Sequence, residues 1–555
     1  ARPFASPQDD ATHAADALAH ALKGAQSSAP YQLPGDDQLK AIVQLSNIFF
    51  QLVKKQSTTP TQPAKARVSP PRVHVSPPRV PNSPVPSYHP NHNGPHLIEP
   101  DVDIPDTPTP PRYNLRSRYS VAAAVLNKKT GALEGFPALI RGDDKEIWHR
   151  SYANDLGRLA QGIGNRVEGT NTVFFIPKSA VPKHKRVTYG KKECTLRPNK
   201  AEVYRTRLTV GGDKLIYHGD TATQCASLTT AKLILNSTIS TPGARFGCID
   251  IKNMYYGTPM SDFEYMKIKY DEIPQEVITE YNLDKIVGPD GYIYLEIRKG
   301  MPGLKQAGKI ANDRLTNHLT KYGYRPCKHT PALWRHVTRK VTFALVVDDF
   351  GVKYEGRENF KHLCDALRDL YEITVDEKGE KFLGLSIKWN YLAGWVEISM
   401  PGYVKKALLR FQHIAKTRRQ NAPHSWNKPV YGKKIQLAAT DESPSAPATA
   451  ATHVQQVVGT FLYYGLGIDL TMLVTLGTLA SQQTCPTEAT MSEVTWFLDY
   501  CASNPDAVIR YEQSEVVLWT VTDASYLSEP RARSRAGALF FLSDLPKDPK
   551  NPKST

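Results

Sequence analysis

Apolar residues along the middle of this chain alternate between short runs and helically spaced stripes. Arg245 to Ile251 (RFGCIDI) is a brief apolar run holding one carboxylate, and it predicts a strand. Between Lys305 and Tyr322, the residues Ala307, Ile310, Ala311, Leu315, Leu319 and Tyr322 recur at spacings of three and four, with Gly323 as a natural stop, so a helix is predicted there. Val341 to Val347 (VTFALVV) and Phe350 to Tyr354 (FGVKY) read as two strands joined by the polar pair Asp348-Asp349. Phe360 to Tyr371 repeats the helical spacing, and Lys381 to Trp389 (KFLGLSIKW) is expected to close the series as a strand. The order β-α-β-β-α-β is the split βαβ plan of ferredoxin-like domains, and it sets the Asp250 strand beside the Asp348-Asp349 hairpin.

Outside this unit the pattern changes character. Residues 1–59 carry one predicted amphipathic helix, Asp37 to Lys55, and no visible chemistry. Residues 60–120 form a linker: sixteen of the 42 prolines lie between Pro60 and Pro111, and proline at that density forbids ladders and helices alike. The folded part is expected over 145–400, 401–505 and 510–555. Val457 to Ala480 is long and apolar enough to span a bilayer, yet Asp469 and interspersed glycines and threonines favour a buried helix pair, so no membrane partner is expected. Val516 to Val521 (VVLWTV) and Ala538 to Leu542 (ALFFL) predict a hairpin whose first strand runs into Asp523.

Composition narrows the function classes. There are 70 Lys+Arg against 54 Asp+Glu, a net charge of +16, which favours a polyanionic partner, and nucleic acid is the commonest one. Hydrophobic residues at 40% exclude a wholly disordered chain. Seven cysteines without a CxxC pair argue against zinc knuckles and against a bridged secreted framework, and point to reduced thiols in an intracellular compartment. The opening ARPFASPQDD has neither an initiator Met nor the order of a signal peptide, as expected of a processed or truncated piece.

Two adjacent aspartates at a hairpin tip repel and raise one another's pKa, so something should offset that cost. With Asp250 they make a cluster of hard oxygens suited to Mg²⁺, and two such ions about 3.5–4 Å apart activate a hydroxyl and stabilise a leaving pyrophosphate. Arg205 and Arg207 alternate, so on a strand they share a face and can hold a triphosphate by charge-assisted hydrogen bonds. A plain turn at Asp348-Asp349 and a solvated strand face at the arginines are the bland alternatives.

Four segments in order, CIDIKNMYYG (Cys248 to Gly257), GMPGLKQAGK (Gly300 to Lys309), FALVVDDFGVKY (Phe343 to Tyr354) and KFLGL (Lys381 to Leu385), resemble the palm motifs of Ty1/copia-type retrotransposon reverse transcriptases. The resemblance runs from about Trp148 to Asp544. It implies an α+β right-hand polymerase with fingers, a ferredoxin-like palm and a thumb, followed by a truncated RNase H-like segment. It further implies Asp250, Asp348, Asp349 and the Ile251 backbone carbonyl as ligands of two Mg²⁺ ions, with Mn²⁺ able to substitute. The family's aromatic under the incoming sugar falls on Tyr255, where a ring would clash with a 2′-hydroxyl. Tyr204 to Gly212 (YRTRLTVGG) resembles the basic fingers motif, which puts Arg205, Arg207 and Gln306 at the dNTP. Gly303 and Lys305 then meet template-primer, and Lys405, Lys406 and Arg410 track the duplex backbone from the thumb. Asp523 matches the first carboxylate of an RNase H site whose other ligands are absent, so no RNase H activity is expected. Two departures stand out: Val346 replaces an aromatic before the aspartate pair, and Gly308 replaces a proline.

The function expected from this resemblance is an RNA-directed DNA polymerase of an LTR retrotransposon. Its partners would be an RNA template, a DNA primer or cDNA, and dNTPs. Self-association or association with other element proteins would accompany a cytoplasmic virus-like particle or the nucleus. The alternative is a decayed or truncated element product that binds nucleic acid without polymerising.

Overall fold

The computed structural model describes residues 125–545 apart from 128–129, 198–199, 417, 426–440, 527–528 and 530–532. The predicted helix Asp37 to Lys55 and the 60–120 linker lie outside the described residues. The elements that position the site begin with α1 (Lys145–Leu159), β1 (Val173–Ile176), β2 (Val187–Leu196), β3 (Tyr204–Val210) and α2 (Leu228–Ser240). There follow β4 (Ala244–Ile251), β5 (Pro259–Lys269), β6 (Tyr292–Lys299), α3 (Ala307–Lys321), β7 (Tyr324–Cys327) and β8 (Thr330–His336). Next come β9 (Val341–Val346), β10 (Asp349–Glu355), α4 (Arg357–Arg368), β11 (Ile373–Asp376), β12 (Lys381–Phe382), β13 (Leu385–Asn390) and β14 (Trp395–Ser399). The last are α5 (Tyr403–Arg410), α6 (Ala448–Gly467), α7 (Leu473–Gln482), α8 (Glu488–Ser503), β15 (Val508–Glu512), β16 (Val517–Ala524) and β17 (Ala536–Ser543). The architecture is mixed α/β with several sheets.

The central sheet has the order β7-β8-β9-β10-β4-β11. Within it the six-element unit β4-α3-β9-β10-α4-β11 places its fourth strand next to its first, then its third and second, which is the split βαβ arrangement. The closing strand differs from expectation. It is the short Ile373–Asp376, paired antiparallel to β4 with Ile373 opposite Ile251 and Asp376 opposite Cys248. The predicted Lys381 to Trp389 strand instead splits into β12 and β13 and joins a separate sheet ordered β12-β13-β14-β15. Four residues after a helix are enough to fill the edge beside β4, so the more conspicuous apolar run is free for a second sheet.

Alternation explains the layers. Ile249, Ile251, Phe343, Leu345, Phe350 and Val352 point to one face and are buried with Ala311, Leu315 and Leu319 of α3 and Leu363 and Leu367 of α4. The other face carries Phe246 and Ala344 and packs with Ala231, Ile234 and Leu235 of α2 and with the sheet and helices of the C-terminal half. A third core lies under the sheet β1-β6-β5-β2-β3, sealed by Trp148, Tyr152, Leu156 and Leu159 of α1. The apolar stretch Val457 to Ala480 folds as the end of α6, a short 3-10 turn and α7, with Phe461, Tyr464, Leu476 and Leu479 buried. Among the described residues no helix is long and apolar enough to cross a membrane. The predicted C-terminal hairpin is present, running in register from Val517 opposite Ser543 to Ala524 opposite Ala536.

Candidate active site

The acidic cluster arises from the β9-β10 hairpin and its neighbour β4. Val346 pairs with Asp349, leaving Val347 and Asp348 as a two-residue turn. Such turns need a positive φ at the first position, and Val347 adopts φ 60°, an uncommon state for a β-branched residue. Backbone held this way costs about 1–3 kcal/mol and gathers at functional sites. On the other side of β10, Asp349 stands directly opposite Asp250. The Ile251 N–H donates to the Asp348 carbonyl at 3.0 Å, so the next rung, Asp250 with Asp349, is a non-hydrogen-bonded pair, the kind that brings side chains closest. The three aspartates of the sequence reading therefore share one sheet edge.

All three carboxyls are raised, chiefly by burial, with acidic neighbours adding to the rise at Asp348 and Asp349. Burial first, then Asp348 and Asp250, push the Asp349 carboxyl up to about 6. Burial raises Asp348, with Asp250 adding to the rise and Arg207 opposing it. Asp250 is raised by burial against the pull of Lys200 and Lys252. Asp250, Ile251 and Asp348 line a cavity of about 440 Å³ together with Arg158, Arg197, Lys200, Arg205, Arg207 and Lys252, among which Glu202 also lies, so the lining around the carboxylates is mostly cationic. Among the described residues no group of three His, Cys, Asp or Glu is gathered to metal-binding spacing. The hard carboxylate oxygens are nonetheless of the donor type that Mg²⁺ takes.

The remaining predicted residues are placed unevenly. Arg207 is exposed on β3 and lines the cavity with Asp348. Arg205 is different: its guanidinium is buried between Asp155 at 3.0 Å and Glu202 at 2.5 Å, so it acts as scaffold rather than as an open phosphate ligand. Tyr255 is half-buried, its hydroxyl raised by burial and by Asp348, and a side chain on Gly308 would lie 3.7 Å from that hydroxyl. Gly303 makes the close approach expected of it: φ is +98°, and a Cβ there would meet the Val210 carbonyl oxygen at 2.0 Å. Lys305 donates to the Leu215 carbonyl at 2.7 Å, and Gln306 is buried with its amide donating to Glu264 at 3.0 Å. Both side chains at the start of α3 are thus bonded to neighbouring protein groups.

In the C-terminal half the basic helix divides as well. Lys406 is exposed, Lys405 is exposed and 3.7 Å from Asp506, and Arg410 turns inward to Thr460 at 3.0 Å. A guanidinium on the inner side of an amphipathic helix packs its stem, which is why Arg410 leaves the solvent row. Asp523 lies exposed on β16 opposite Gly537, and its carboxyl accepts from the Ala524 N–H at 2.8 Å.

Four cationic cavity residues, Arg158, Arg197, Lys200 and Lys252, escape sequence reasoning, as does the buried Asp155 behind them. Asp155 carried a signal: it sits on the apolar stripe of α1 with Trp148, Tyr152 and Leu159, where a solvated carboxylate has no place.

No family model matches the chain. It is similar to a transposon Ty5-1 protein of Saccharomyces cerevisiae, 26% identical over 219 residues that cover 39% of this chain and 62% of that protein. It is also similar to the Gag-Pol polyproteins of transposons Ty1-DR6 and Ty1-GR2 of the same yeast, 20% identical over 265 residues, 45% of this chain and 15% of each polyprotein. The chain thus spans less than two thirds of the length of these curated relatives. Among solved structures, a foamy viral protease-reverse transcriptase in complex with double-stranded DNA aligns with a TM-score of 0.32 and 12% identity, over 64% of this chain and 49% of that one. The likeness in sequence is to retrotransposon proteins of the Gag-Pol kind.

Proposed function

We propose that this chain is an RNA-directed DNA polymerase of a retrotransposon, with the central sheet as palm and β2-β3 as part of the fingers. The observation that carries the reading is the Asp250-Asp349 cross-strand pair, with Asp348 at the adjoining turn, beside a wall of arginines and lysines. That wall is over-supplied with positive charge. Burial and then Arg205 hold the Arg197 guanidinium below its usual range, and among the described residues the Nε atoms of Arg197 and Arg205 are buried without a hydrogen-bond partner. A polyphosphate would be drawn to the cationic wall, and the acidic side would need cations between its carboxylates and the phosphates.

In the reaction the primer 3′-hydroxyl oxygen bonds to the α-phosphorus of the dNTP, the bond to pyrophosphate breaks, and the hydroxyl proton is lost to solvent or a carboxylate. Arg207 offers a planar donor fork to the triphosphate and leaves the acidic side free. Tyr255 packs under the incoming sugar and excludes a 2′-hydroxyl. Asp250, Asp348, Asp349 and the Ile251 carbonyl would hold two Mg²⁺ ions, which when bound supply activation of the hydroxyl and neutralisation of the leaving phosphates. The fixed aspartate pair and the arginine support constitute the positioning that phosphoryl transfer chiefly needs. RNA template and DNA primer would lie along the cavity mouth.

Primer extension on an RNA template with Mg²⁺ tests this. Wild type should extend and Asp349→Asn should not. A folded sample that binds RNA but extends nothing assigns the chain the non-polymerising role instead.

A further inference from the structure

The strand that carries Arg207 is an edge strand: β3 pairs with β2 on one side and ends its sheet. Two of its outer N–H groups are taken by a helix. Ser151 of α1 accepts from the Thr206 N–H at 2.6 Å and donates to the Tyr204 carbonyl at 3.0 Å, and one turn later Asp155 accepts from the Leu208 N–H at 2.7 Å. Residues four apart share a helix face, so this pair matches alternate N–H groups of a strand. The same Asp155 carboxylate, fully buried, takes Arg158 at 3.2 Å and Arg205 at 3.0 Å through its other oxygen. Glu202 completes the support, 3.6 Å from Arg158 and bonded to Arg205.

We infer that Asp155 is the positioning residue of the cationic wall, one carboxylate that fixes both the backbone of β3 and the two supporting arginines so that Arg207 is presented to the acidic side. Arg207 stands on β3 directly between Thr206 and Leu208, the two residues tied to α1. Among the described residues its guanidinium makes no ion pair with Asp155 or Glu202 and acts on Asp155 only through space, so it is not bonded into the network. Because Asp155 is remote from solvent and reaches the cavity only through other residues, it sets how tightly a triphosphate is held and has no part in the chemical step. The inference rests on the polymerase reading of the same cavity.

The test is a double-mutant cycle in steady-state primer extension with dNTP as the varied substrate. Asp155→Asn keeps an acceptor for Leu208 and removes the charge, and it should raise KM for dNTP by about tenfold, a coupling of ordinary size, with kcat little changed. In an Arg207→Ala background the same substitution should raise KM no further. Ser151→Ala, which cuts the same strand edge without touching charge, should move KM much less. An unmoved KM in Asp155→Asn, or a full tenfold effect that persists without Arg207, overturns the inference. If Asp155→Asn does not fold, Asp155→Glu is used with the same two outcomes. Should wild type extend no primer, the polymerase reading falls separately. Calorimetric binding of tripolyphosphate then decides the inference, which requires binding weakened by Asp155→Asn only where Arg207 is present.

Discussion

Asp349→Asn should make the protein inactive and more stable. The carboxyl is pushed from an ordinary value near 3.8 to about 6 by burial and by its two acidic neighbours. At about 1.36 kcal/mol for each pKa unit, the charged form is destabilised in the fold by a ceiling of about 3 kcal/mol. The group is partly exposed, so solvent screening reduces this to about 1–2 kcal/mol. The sign is opposite to that of a salt-bridged aspartate. The folded state binds the proton more tightly than the unfolded chain, so wild type loses stability as pH rises from about 4 through 6, and an asparagine has no such loss. Urea midpoints of both proteins in EDTA are the assay. At pH 7.5 the variant should lead by the full amount, and at pH 4.5 the lead should shrink to roughly a third. Saturating Mg²⁺ should then stabilise wild type more than the variant, narrowing or inverting the order. A variant no more stable than wild type at pH 7.5, or a lead that does not depend on pH, refutes the account of a mutually repelling cluster.

Three other outcomes are expected. Gly303→Ala forces a Cβ onto the Val210 carbonyl at a backbone angle foreign to alanine, and should cost about 3 kcal/mol in denaturant unfolding. Tyr255→Val should raise ribonucleotide incorporation relative to deoxynucleotide by about tenfold or more, measured as the ratio of kcat/KM values, since the ring at the sugar position is lost. Lys406→Ala should lower the slope of log affinity against log salt for duplex binding by about one, whereas Arg410→Ala, which loses an inward hydrogen bond to Thr460, should leave that slope alone and cost about 1–2 kcal/mol of stability.

How far the sequence carried the site depends on which kind of signal each residue gave. The strands around Asp250 and the aspartate pair were legible because apolar alternation survives in β4, β9 and β10, and because the two-residue turn leaves the acids no other place. The fourth strand was missed because Ile373–Asp376 has only four residues and half-buried faces, a pattern that local periodicity does not separate from loop. KFLGLSIKW was strand as read, but nothing local says which sheet a strand joins. Side-chain direction was the hardest quantity. Arg205 and Arg207 share a strand face, yet a buried carboxylate contributed by α1, distant in sequence, claims one of them and not the other. Lys305 and Gln306 fit a phosphate or a base by type, and only packing shows them bonded to Leu215 and Glu264.

The sheet β12-β13-β14-β15 has a consequence for how the chain is assembled. Glu397 of β14 and Arg510 of β15 meet as register partners although they are 113 positions apart. Bringing such distant ends together costs about 4 kcal/mol of chain entropy before any ladder bond forms. Among the described residues the four helices α5, α6, α7 and α8 lie inside that closed loop. Until residues 508–512 arrive, β14 is an open edge, and Ser399 to Trp395 offer their ladder groups to whatever strand is nearest. One five-residue strand, the last of that sheet to be synthesised, therefore closes the exposed edge.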